Sequence, residues 1–87
     1  MIKVGLLGAG RIGRIHGGNV VAHPRTELAA IADASSAAAE SLARETGAQV
    51  GTIESILADA SIGALLICTP TDMHADLIEA GVKAGKA

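Results

Sequence analysis

Residues 2–13, IKVGLLGAGRIG, run from a nearly continuous apolar stretch, Ile2 to Leu7, into three glycines at positions 8, 10 and 13. A strand covered on both faces reads as a continuous apolar run, so the stretch is a buried strand, and the glycines open a helix after it. Each glycine has its own reason. Gly8 permits a tight turn, Gly10 leaves no side chain between the backbone and a bound diphosphate, and Gly13 lets the helix sit close on the sheet. The first amides of that helix have no intrahelical partner, and with the positive end of the helix dipole they form an anion site.

Working outward, three more apolar runs occur, Leu28 to Ala32, Ala48 to Val50 and Ile62 to Cys68, separated by segments of helical period. Arg11 to Ala22 reads as the first helix, stopped by Pro24. Ser36 to Thr46 is the second, with Ala38, Ala39, Leu42 and Ala43 on one face, Glu40 and Arg44 paired four apart on the other, and Gly47 as the stop. Thr52 caps a short third helix through Ala58. After Pro70, residues Met73, Leu77, Ala80 and Ala84 recur at helical spacing, with Thr71 or Asp72 as the cap and Gly85 near the end. The order βαβαβαβα with right-handed crossovers predicts an α/β Rossmann-type doubly wound parallel sheet, carried as far as its fourth βα unit, with strand order 3-2-1-4.

Two features turn the glycine motif into a cofactor expectation. Asp33 closes the second strand about 20 residues beyond Gly13, where an acid accepts hydrogen bonds from the ribose hydroxyls of a dinucleotide. A carboxylate there repels a 2′-phosphate, and Ala34-Ser35-Ser36 offers no Arg or Lys to hold one, so NAD is favoured over NADP. The second feature is the run Cys68-Thr69-Pro70-Thr71-Asp72-Met73-His74 at the carboxyl end of the fourth strand. Strands 1 and 4 flank the point where strand order reverses, which puts this loop across the crevice from the glycines. Thr69 and Thr71 offer hydroxyls and amides to a ribose or a nicotinamide amide, and Pro70 stiffens the turn.

Composition removes other classes. At 87 residues the chain holds one domain and buries only about 60% of its unfolded surface. With no Phe, Tyr or Trp, seven Lys and Arg scattered along the chain and a formal charge of −2, it has neither a basic face for phosphates nor rings for base stacking, which argues against nucleic acid. One cysteine excludes an intrachain disulfide, and the three dispersed histidines lack metal-ligand spacing. The N-terminal apolar run is too short for a membrane span and has no signal-peptide cleavage pattern, so the expected location is cytoplasmic, away from membranes.

GAGRIGRIH (residues 8–16), Asp33 and ICTPTDMHADLIEAGVKAGKA (residues 67–87) together resemble the cofactor-binding domain of the family named for glucose-fructose oxidoreductase, inositol dehydrogenase and rhizopine catabolism. The resemblance is nearest to its inositol 2-dehydrogenase branch and covers essentially the whole chain. The TPTxxH loop followed by AGK is its more specific part. It implies a nicotinamide-dependent enzyme that oxidises a secondary alcohol of a cyclic polyol or sugar and assembles as a homo-oligomer at full length. It implies that Gly8, Gly10, Gly13, Asp33 and the Thr69 to His74 loop lie on the cofactor, and the full cofactor-contacting set expected is Gly8, Gly10, Arg11, Ile12, Gly13, Asp33, Ala34, Cys68, Thr69, Pro70, Thr71 and His74. Family members continue with a fifth strand, a Glu-Lys-Pro motif whose lysine serves proton transfer, and a large α+β domain carrying an Asp and a His near the substrate. Residues 1–87 hold none of these, so the expectation is a partial NAD-binding domain without catalytic residues, inactive by itself. The alternatives are a stand-alone, non-catalytic dinucleotide-binding module or, against the TPTxxH loop, an S-adenosylmethionine-binding methyltransferase fragment.

The remaining candidates have plainer readings. His74 has a positioning or capping role rather than that of a base, His16 packs on the first helix, and His23 beside Pro24 is a solvated helix end. Cys68 is a buried small residue at a strand end rather than a nucleophile. Arg11 lies over the pyrophosphate and Arg14 is exposed. Gly17-Gly18 in the first helix costs about 1 kcal/mol per residue against Ala, which points to close helix–sheet packing or to a divergent family member.

Overall fold

The structure, a computed structural model, describes residues 1–69 and 74–86. The elements are β1 (Ile2–Leu7), α1 (Arg11–Ala22), β2 (Thr26–Ala32), α2 (Ser36–Thr46), β3 (Gln49–Val50), α3 (Ile53–Ala58), β4 (Ile62–Ile67) and α4 (His74–Lys83). All strand pairs are parallel and the order is β3-β2-β1-β4, the expected Rossmann-type half-sheet.

Side chains alternate across a strand, so neighbouring residues of β1 face opposite layers. Leu6 and Leu7 are both fully buried, but against different helices. Leu6 packs with Leu28 and Ile31 of β2 and with Ala39, Leu42 and Ala43 of α2, while Leu7 packs with Ile56 of α3, Ile62 of β4 and Leu77 of α4. The continuous apolar runs are thus the mark of a sheet with helices on both faces.

Local signals set the helix ends. Ser35 caps α2 by accepting the Ala38 amide (3.3 Å), and Gly47 ends it in the left-handed region at φ +79°. Thr52 and Ser55 form a reciprocal capping box at α3. No helix among the described residues is long and apolar enough to cross a membrane.

Several sequence expectations need correction. β2 begins at Thr26 rather than Leu28 because Ile2 and Lys3 of β1 pair with Thr26 and Glu27, a register that apolar content does not reveal. β3 starts at Gln49 rather than Ala48. β4 ends at Ile67, although the Cys68 amide still donates to the Leu7 carbonyl (2.7 Å). Glu40 and Arg44 share the outer face of α2, both exposed, but form no ion pair. Arg14 is not simply exposed: packing of α1 beside α2 brings its guanidinium onto the Glu45 carboxylate. His16 is exposed rather than packed into the core, since α1 buries Gly13 and Gly17 instead. Ala84 lies past the end of α4 and is exposed, and that helix buries Leu77 and Gly81. The Thr71 or Asp72 cap and the Met73 position lie outside the described residues.

The two adjacent glycines of α1 separate cleanly. A Cβ on Gly17 would come within 3.2 Å of Leu6 Cδ2 and 3.6 Å of both Leu28 and Leu42, whereas one on Gly18 would meet nothing within 4 Å. Close helix–sheet packing therefore explains Gly17 and not Gly18. Gly18→Ala should raise stability by about 0.5–1 kcal/mol through helix propensity alone. Gly17→Ala should forfeit that gain by crowding Leu6. Thermal denaturation of the two variants beside the parent chain checks the contrast.

Candidate functional site

The carboxyl ends of β1, β2 and β4 and the start of α3 surround a cleft of about 560 Å³, lined by Gly8, Gly10, Ala32, Asp33, Ala34, Gly51, Thr52, Ile53, Cys68 and Thr69. Open parallel sheets bind ligands here, where strand order reverses between β1 and β4. A second cleft of about 540 Å³, lined by residues such as Lys3, Glu27 and Ser61, opens at the other end of the strands, away from the glycine turn.

Gly8 sits at φ +104°, and a Cβ there would lie 2.7 Å from the carbonyl carbon and oxygen of Cys68. The turn thus needs glycine for conformation and for space. A Cβ on Gly13 would overlap the Gly8 carbonyl oxygen. Gly13 therefore lets α1 close on its own turn, a tighter constraint than closeness to the sheet. Gly10, the N-cap of α1, has nothing within 4 Å of its notional Cβ and accepts no side-chain cap. The first turn of α1 carries no acidic residue of its own, so none of its side chains caps the helix start.

Asp33 closes one wall. Its Oδ2 accepts the Ala9 amide at 2.6 Å and its Oδ1 accepts the Ser35 amide at 2.7 Å. Each carboxylate oxygen has two lone pairs, so capacity for ligand hydroxyls remains. Opposite stand Cys68 and Thr69. Thr69 Oγ1 is buried without a hydrogen-bond partner among the described residues, an orphaned polar atom that a bound ligand would satisfy. His74 Nε2 lies 2.6 Å from the Thr69 carbonyl oxygen. A carbonyl only accepts, so Nε2 carries the proton and the ring holds the Thr69 backbone rather than serving as a base from that nitrogen.

Cys68 is half-buried rather than buried, and that partial burial still pushes its thiol above the ordinary range, which favours the neutral thiol and argues against a nucleophile. Arg11 and Ile12 are exposed on the first turn of α1 and do not line the cleft. Ala34 lines the cleft. Pro70 and Thr71 lie outside the described residues. Sequence reasoning missed Gly51, Thr52 and Ile53. The signal was available: in a parallel sheet every strand-to-helix loop lies at the same edge, so the β3–α3 loop has to share the cleft.

These features fit a dinucleotide: uncapped amides for the diphosphate, an acid at the second strand end, and an unpartnered hydroxyl across the crevice. Comparison with known proteins agrees. The family model described as an oxidoreductase family with an NAD-binding Rossmann fold matches residues 2–87. The chain is 54% identical over 86 residues to an inositol 2-dehydrogenase of Rhizobium meliloti, covering 99% of this chain and 26% of that protein. It also resembles the crystal structure of a candidate myo-inositol dehydrogenase from Sinorhizobium meliloti (TM-score 0.99, 53% identity, 100% of this chain and 26% of that one). A scyllo-inositol dehydrogenase from Lactobacillus casei, crystallised with NAD(H) and scyllo-inositol, superposes with a TM-score of 0.89 at 29% identity, over 99% of this chain and 26% of that one. The chain thus spans about a quarter of the length of these relatives.

Two outcomes are expected from the geometry. Gly10→Ala should change stability by no more than about 1 kcal/mol, because its site is open, yet weaken nucleotide binding by filling that space. Gly13→Ala should cost more than about 3 kcal/mol, because something in the backbone has to move. Chemical denaturation paired with nucleotide titration checks both. Cys68 should react with iodoacetamide more slowly than a free thiol at pH 8, its thiolate forming only at higher pH, and bound NAD should slow it further. Mass spectrometry of timed aliquots reads this directly.

Proposed function

The chain belongs to the glucose-fructose oxidoreductase, inositol dehydrogenase and rhizopine catabolism family, and on that basis we propose that it forms the cofactor-holding part of an NAD-dependent dehydrogenase acting on a secondary alcohol of a cyclic polyol or sugar. The observation that carries the reading is the open, uncapped start of α1 at Gly10, facing a cleft walled by Asp33 on one side and Thr69 on the other.

When bound, NAD supplies the hydride acceptor. The protein's own groups do the holding. The amides opening α1 take the diphosphate, helped by the helix dipole and by the lack of any acid in the first turn. Asp33 accepts the adenosine ribose hydroxyls and disfavours a 2′-phosphate. Thr69 Oγ1, left without a partner among the described residues, is a donor and acceptor for the nicotinamide half. His74 bonds the Thr69 carbonyl and so steadies the residue that presents this hydroxyl.

On this reading the 87 residues position the cofactor, and the group accepting the alcohol proton comes from outside them. The inositol-oxidising relatives support a cyclic polyol as substrate class.

Calorimetric titration should show NAD binding at least tenfold more tightly than NADP, since one unpaired like-charge contact is worth more than about 1.4 kcal/mol. Equal affinities would remove the role given to Asp33. Adding myo-inositol or scyllo-inositol to the polypeptide of the complete reading frame should reduce NAD, read by the absorbance of the reduced nicotinamide. No reduction with any polyol or sugar would overturn the substrate class.

A further inference from the structure

We propose that Asp33 is a positioning residue for the glycine turn, one that shapes the diphosphate site before any ligand arrives, in addition to whatever it accepts from a ribose. The proposal rests on the dinucleotide reading above, and its observations are in the ligand-free fold.

β1 and β2 run side by side to Leu7 and Ala32, and the Gly8 amide still donates to the Ala32 carbonyl at 2.8 Å. One residue later the chain leaves the sheet. The Ala9 amide, on a residue only 2% exposed, has no strand carbonyl to meet and donates instead to Asp33 Oδ2 at 2.6 Å. The side chain thus takes up a buried amide that the sheet no longer pairs. Its other oxygen accepts the amide of Ser35, the residue that caps α2. One carboxylate therefore ties the turn before α1 to the start of α2, through two short bonds of the charge-assisted kind.

Ala9 lies between Gly8, held at φ +104°, and Gly10, which begins α1. The two glycines are the freest backbone in the turn, and the intervening amide is where it can be fixed. Without the carboxylate, a buried amide would lack a partner and the turn would reorganise to find one. Loss of Asp33 should then weaken binding of a diphosphate even when the ligand has no ribose hydroxyls to offer.

The test compares the full chain with Asp33→Ala and Asp33→Asn, using ADP and 2′,3′-dideoxy-ADP as calorimetric probes. In Asp33→Ala, affinity for dideoxy-ADP should fall about tenfold, and Asp33→Asn, which keeps one acceptor oxygen, should restore part of it. Amide hydrogen exchange without ligand should quicken at Ala9 in Asp33→Ala while amides of β1 and β2 keep their protection. Unchanged dideoxy-ADP affinity in both variants, or unchanged exchange at Ala9, overturns the proposal. If the parent chain binds neither nucleotide, the dinucleotide reading fails, and the exchange measurement still decides whether Asp33 holds the turn. Should Asp33→Ala not fold, Asp33→Asn carries both measurements.

Discussion

The structure depends on one steric constraint: backbone meets backbone where β1 leaves the sheet. Gly8 lies against the Cys68–Thr69 peptide, and Gly13 lies against the Gly8 carbonyl, with no room for a Cβ at either. These two approaches fix how far α1 can descend toward the strand ends and so where its first amides point. A side chain at either position would push the helix away from the sheet. The open start of α1 is therefore a product of packing, and the same atoms that close the core on one side open the cleft on the other.

Small residues carry that logic through the rest of the molecule. With no Phe, Tyr or Trp in the chain, the two layers beside the sheet are filled by Leu, Ile and Ala, including Ala39 and Ala43 of α2 on one face and Ala32 on the other. Short side chains allow the helices to lie close to the strands, and Gly17 of α1 is the extreme case, with Leu6, Leu28 and Leu42 gathered over it. The Arg14–Glu45 pair bridges α1 and α2 at the surface, where an ion pair contributes about 0–1 kcal/mol. It joins helices whose closeness the small residues already set.

Much of this was legible in the sequence because its signals are local. The limits of α1 and α2, the Thr52 cap, the left-handed stop at Gly47 and the strand order all come from periodicity, capping chemistry and crossover handedness. What escaped depends on relations between elements. The start of β2 is set by register with β1, Arg14 found its partner across a helix interface, and His16 faces water because two glycines claimed the inner side of its helix. The cleft divides in the same way. Gly8, Gly10, Asp33 and Thr69 announce themselves by type and spacing, whereas Gly51, Thr52 and Ile53 belong to the site only through the geometry of the sheet edge. Even Asp33, found by its place in the motif, has amide partners that no spacing rule contains.

The pairing of β1 with β4 also bears on how the molecule assembles. β2 comes after β1 with a single helix between them, but β4 joins the opposite side of β1 after two strands and three helices have intervened, with Lys3 beside Ile62. Closing so long a loop has a larger entropy cost than forming the β1–β2 pair, which makes it the slower contact to establish. The cleft needs that late contact, since Cys68 and Thr69 form its far wall. A ligand bound across it bridges the two most sequence-distant strands of the sheet, so its binding energy supports the pairing with the largest closure cost.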